Sequence, residues 1–144
     1  MRVLFDTSVL VAASVEPHPM HERAFVWLKR AKAGELEMLA ASHTIAELYA
    51  VLTTLPVRPR ITPDTAFRLI LENVRKIARI VALSISDYEA TVERLAGLGL
   101  PGGAIYDALI ARAAEKSGAE RVLTLNSADF ERVWPEGKSF ITQP

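Results

Sequence analysis

Apolar residues fall along this chain in short unbroken runs separated by stretches with helical spacing. Val3-Leu4-Phe5, Glu37-Met38-Leu39-Ala40-Ala41, Ile80-Val81-Ala82-Leu83 and Arg121-Val122-Leu123-Thr124-Leu125 predict four strands, with a shorter fifth over Ser139-Phe140-Ile141. Between them, Ala24, Phe25, Leu28 and Ala31 recur at helical intervals from His21 to Lys32, and Ile45, Leu48, Val51, Leu52 and Leu55 make a second helical face. Thr62-Pro63-Asp64 opens a middle helix with proline in its first turn, Phe67, Ile70, Leu71, Val74 and Ile77 inward, and Arg68, Arg75, Lys76 and Arg79 outward. Ser86-Asp87 predicts a cap for a helix to about Leu95, a glycine loop follows through Gly103, and Ile105 to Lys116 reads as the next helix. Thr7 or Ser8, and later Ser42, are candidate caps after the first two strands.

Strands that are apolar throughout, alternating with helices, predict an α/β fold. The expected form is a three-layer α/β/α sandwich around a central, mostly parallel sheet of four to five strands. Repeats and linkers are absent, so residues 1–144 read as one domain. Half the residues are hydrophobic and 24% charged, a globular balance, and no apolar run approaches the roughly 18 residues of a membrane span. Asp6 ends the first apolar stretch too early for a signal peptide, which points to a cytoplasmic protein. Cysteine is missing altogether, which excludes disulfides, thiolate zinc sites and cysteine nucleophiles. Seventeen basic and seventeen acidic residues cancel, so this is no general polyanion coat, and charge placement matters more than the total.

In parallel α/β sheets ligands gather beyond the C-terminal strand ends. Asp6 follows the first strand, Glu47 lies about one turn into the helix after the second, Asp107 is in the first turn after the glycine loop, and Asp129 follows the fourth strand. Singly, each has an ordinary role as strand end, helix surface, helix N-terminus or loop acid. Together they repel, by about 4 kcal/mol for a pair 4 Å apart at an effective dielectric of 20, unless protons or a cation offset the charge. Oxygen donors alone select Mg²⁺ or Mn²⁺ over zinc, as one or two ions. His18, His21 and His43 are not grouped at ligand spacing.

The chain resembles the PIN-domain ribonucleases, above all the VapC-type toxins of toxin–antitoxin pairs. The likeness rests on Val3-Leu4-Phe5-Asp6-Thr7-Ser8, Ser42-His43-Thr44-Ile45-Ala46-Glu47-Leu48, Tyr106-Asp107-Ala108-Leu109-Ile110-Ala111 and Leu123-Thr124-Leu125-Asn126-Ser127-Ala128-Asp129-Phe130. It implies a PIN-like fold and metal-dependent hydrolysis of RNA phosphodiesters. Asp6, Glu47 and Asp107 match the acidic metal site, with Asp129 as an outer or water-mediated ligand and Thr124 and Asn126 fixing the strand-end loop. Many relatives carry an acid where this chain has Asn126, so either Asn126 or Asp129 completes the set. Thr7 and Ser8 either cap a helix or hydrogen-bond the bound water or a phosphate. The resemblance also implies a homodimer and a cognate antitoxin partner.

Arg68, Arg75, Lys76 and Arg79 form either a solvated helix face or an RNA-contacting rim. Phe25, Leu28, Leu52 and Leu55 are candidates for an apolar partner surface as well as for core. Trp134 reads as a packing anchor for the tail, and Gly102-Gly103 as backbone freedom beside Asp107. The alternative to an enzyme is a catalytically degenerate PIN-like module that binds RNA or protein.

Overall fold

The structure, a computed structural model, describes residues 1–144. Strands β1 (Arg2–Phe5), β2 (Glu37–Ala41), β3 (Arg79–Val81), β4 (Arg121–Leu123) and β5 (Ile141–Thr142) form one sheet in the order β3-β2-β1-β4-β5, and every pairing is parallel. Seven helices cover it: α1 (Thr7–Ser14), α2 (His21–Lys32), α3 (Ser42–Thr54), α4 (Pro63–Ile70), α5 (Ile85–Leu98), α6 (Ala104–Ser117) and α7 (Ser127–Val133). Successive strand residues enter opposite layers. Val3, Phe5, Met38, Ala40 and Leu123 join a core with α1 to α4, while Leu4, Leu39, Ala41 and Val122 join one with α5 to α7. Both sheet faces are therefore apolar, which is why the strands read as unbroken hydrophobic runs.

The chain leaves β1 toward β2 on one side and β4 toward β5 on the other. The crevice beyond the ends of β1 and β4 is thus the topological switch point, where open parallel sheets bind ligands.

Several local expectations change. Neither Thr7, Ser8 nor Ser42 caps its helix: Asp6 and Ala41 take the N-cap positions, and the hydroxyls of Thr7 and Ser8 bond side chains in the crevice instead. The middle helix is broken by a π turn over Leu71–Arg75, where buried Asn73 accepts from Lys32 Nζ at 2.8 Å and donates to Ser14 Oγ at 3.1 Å. Its inward face is Ala66, Ile70 and Val74, which leaves Phe67 about 100° away in a regular helix and 60% exposed. Leu28 and Leu52 are wholly buried in the core, so of the four residues expected at a partner surface only half-buried Phe25 and Leu55 reach the outside; the exposed large apolar residues include Val26, Tyr49, Phe67, Ile85 and Val92. The tail forms a 3-10 turn over Pro135–Phe140 before β5, because Trp134 stacks on Phe140 and Gly137 lies so close to the indole that a Cβ would stand 1.9 Å from it. Of the glycine pair only Gly102 has a positive φ, +65°.

The cap of α5 is Ser84 rather than Ser86, in a reciprocal capping box with Asp87. Asp87 also accepts from Arg112 Nε at 3.0 Å and Lys116 Nζ at 2.7 Å, which braces α5 against α6. Lys116 above all, then the Ser84 backbone and the other donors, hold this carboxyl well below the ordinary range. A depressed folded-state pKa stabilises above the unfolded value of about 4 and is lost as pH falls through the folded one. Asp87→Asn should therefore lower the melting temperature at pH 7, and thermal melts from pH 7 to 3 should show the gap to wild type narrowing below about pH 4.

Candidate active site

Asp6 ends β1, where its backbone N–H donates to Leu123 O and its carbonyl accepts from Val9 and Leu10 to start α1. Its side chain, 2% exposed, accepts at Oδ2 from Ser8 Oγ at 2.6 Å and from Thr124 Oγ1 at 2.8 Å. The two hydroxyls in turn accept from the strand-end loop, Ser8 from Leu125 N–H at 3.0 Å and Thr124 from Asn126 N–H at 2.9 Å. Those backbone amides go to hydroxyls rather than to a neighbouring strand, so β4 stops at Leu123 rather than Leu125. Thr7 donates to Thr44 at the start of α3. Burial pushes the Asp6 carboxyl above its ordinary pKa, the hydroxyl donors oppose that, and Glu47 adds to it.

Glu47 comes from α3 and Asp107 from the first turn of α6, helices on opposite faces of the sheet that meet over the strand ends. Asp6, Glu47 and Asp107 line one cavity of about 440 Å³ together with Thr7, Ser8, Val11, His18, Val51, Leu55, Leu125 and Asn126. Neither Lys nor Arg lines it. Desolvation first, then the charges of Asp6, Asp129 and Glu47, push the Asp107 carboxyl up to about 7, against a pull from Arg132. Asp129 itself faces an adjoining depression with Asp107 and Arg132, whereas Asn126 faces the main cavity.

Apart from the His18 imidazole, the lining donors are carboxylate, hydroxyl and amide oxygens, the chemistry of a hard divalent cation such as Mg²⁺ or Mn²⁺. They share a cavity without crowding to a point: no three acids or histidines stand as a finished ligand set.

Two histidines that spacing left without a role belong to this region. His43, one turn before Glu47, places Nε2 3.9 Å from its carboxylate and stacks on Tyr106 with ring centroids 5.0 Å apart, tying α3 to α6. His18 lines the cavity from the α1–α2 loop; its only sequence signal is the pair of prolines, Pro17 and Pro19, that brackets it. The basic side chains lie elsewhere. Arg68, Lys76 and Arg79 pair with Asp64, Glu72 and Glu37, Arg79 begins β3 at the opposite sheet edge, and Arg75 alone is without an acid partner.

The PIN domain family model matches residues 3–134. The chain is 36% identical over 115 residues to Ribonuclease VapC27 of Mycobacterium tuberculosis, spanning 80% of this chain and 78% of that protein. The same identity over 115 residues links it to Ribonuclease VapC40 of that organism, with 80% of each chain covered. Among solved structures, VapBC2 from Rickettsia felis bound to a DNA fragment from its promoter superposes with a TM-score of 0.68 at 21% identity, covering 100% of this chain and 99% of that one. The fold, the crevice at its switch point and these likenesses agree: the chain belongs to the PIN-domain family.

Proposed function

We propose that this protein is a metal-dependent endoribonuclease, the toxin of a type II toxin–antitoxin pair, working with Mg²⁺ or Mn²⁺. The observation that carries this is the cavity where Asp6, Glu47 and Asp107, from well-separated stretches, face one another without a basic side chain between them. The named ribonuclease relatives supply the substrate class.

Asp6, Glu47 and Asp107 hold the cation, one ion or two, with Asn126 beside them and Asp129 reaching through water. When bound, the ion supplies positive charge to the phosphodiester and its attacking water. Ser8 and Thr124 keep Asp6 oriented; Glu47 orients the attacking water and takes its proton as oxygen joins phosphorus, and the bond to the leaving nucleoside oxygen breaks. Arg75 is the basic side chain of the middle helix free to meet an RNA phosphate. A cognate antitoxin, a homodimer and a cytoplasmic setting complete the reading. Exposed Phe67, Ile85 and Val92 offer apolar contact area, VapBC2 is the relevant likeness, and no helix is long and apolar enough to cross a membrane.

Asp6→Asn, checked for folding, should cut turnover of total cellular RNA in Mn²⁺ by more than about 100-fold, beyond the 10–100-fold typical of losing a supporting partner. Undiminished turnover removes the role. The separation of the acids also favours a second reading, a catalytically degenerate RNA- or protein-binding module. Mn²⁺ titration separates the two, since a module of that kind need bind no ion and cuts nothing.

A further inference from the structure

The cavity sets its proposed substrate a problem. RNA brings phosphates to a space lined by three carboxylates and by neither Lys nor Arg. Side-chain nitrogen donors there come from Asn126 and His18 alone. The ring of His18 is held in one tautomer: Met20 N–H donates to Nδ1 at 3.0 Å. A ring nitrogen that accepts carries no hydrogen, so the neutral ring's proton sits on Nε2. That N–H has no acceptor within the protein.

We propose that His18 is a substrate-binding residue whose Nε2–H donates to a non-bridging phosphate oxygen of RNA seated in this cavity. The inference rests on the ribonuclease reading above and assigns a contact within it. A neutral donor suits the place, because a fixed cation would pair with Asp6, Glu47 or Asp107 and occupy the oxygens they offer. Val11, Val51, Leu55 and Leu125 supply an apolar wall against which the attached ribose or base can lie.

Two substitutions separate binding from loop support. His18→Asn keeps an oxygen near Nδ1 to accept from Met20 N–H but is too short to reach where Nε2 stood. His18→Gln restores an N–H at the Nε2 position. The probe is the RNA segment that the wild type cuts in total cellular RNA, remade as a short oligonucleotide and assayed in Mn²⁺. Losing one hydrogen bond to a charged group should raise KM about tenfold or more in His18→Asn with kcat little changed. His18→Gln should keep KM near wild type, and the salt dependence of KM should be unaltered, because no charge is removed. Thermal melts check folding; should His18→Asn melt early, His18→Gln decides alone, a wild-type KM supporting the assignment and a raised one overturning it. Wild-type KM in well-folded His18→Asn overturns the assignment and leaves the ribonuclease reading intact. A wild-type chain that cuts no RNA overturns that reading and this contact with it.

Discussion

Asp107→Asn is expected to abolish RNA cleavage and, in the same molecule, to raise the melting temperature of the metal-free protein at pH 8. Asp107 is pushed up to about 7 by desolvation and by Asp6, Asp129 and Glu47. An unfolded aspartate titrates near 4, so the folded state holds the proton more tightly. Keeping the charge costs stability as pH rises above about 4, and the cost levels off once pH passes about 7. Three units would be about 4 kcal/mol at most. The side chain is partly exposed, so solvent screening leaves about 1–2 kcal/mol, roughly 5 °C for a domain of this size. Melts in EDTA should coincide near pH 4 and separate by pH 8, the variant higher. Added Mn²⁺ should raise the wild type and leave the variant unmoved, since a ligand that binds only the folded state stabilises it. A variant that melts below wild type at pH 8 in EDTA would mean that Asp107 supports the fold rather than straining it.

Thr124→Val should move stability the other way. Valine keeps the shape of a residue with no exposed surface, but the hydroxyl that donates to Asp6 at 2.8 Å and accepts from Asn126 N–H at 2.9 Å is gone. One of two donors to a buried carboxylate and one partner of the strand-end loop disappear together. A hydrogen bond to a charged group contributes about 1.5–3 kcal/mol, so the melting temperature falls, and cleavage falls with it as Asp6 loses its orientation. Thr124→Ser, which restores the hydroxyl, should recover most of both. Unchanged melting and turnover in the valine variant would show that Ser8 alone suffices to hold Asp6. The two variants separate a charge that strains the fold, on Asp107, from a hydroxyl that stabilises it by holding Asp6.

The sheet and three of its acids were legible because they depend on local pattern and one general rule. Strands buried on both faces read as continuous apolar runs, and Asp6, Glu47 and Asp107 each lie just after such a run or at a helix start. Position along a strand or helix is enough to bring them to one edge. What stayed hidden depends on contacts between distant stretches. Phe67 has the right spacing for a buried face, and only the packing of Ala66 and Ile70 shows that the face lies one residue over. Ser84 and Ser86 are equally good caps by type, and Asp87, drawn toward Arg112 and Lys116, selects the first. Asn126 and Asp129 look interchangeable in sequence, and the path of the loop separates them into neighbouring depressions. His18 follows no periodicity at all; a loop closed between two prolines carries it to the crevice.

The bond from Thr124 to Asp6 spans 118 residues. On a ribosome the hydroxyl of Thr124 is made about 6 to 24 s after Asp6 at 5–20 residues per second. A nascent chain that stops short of Thr124 therefore lacks one of the two hydroxyls that orient Asp6, and the crevice is completed only once both stretches have been made.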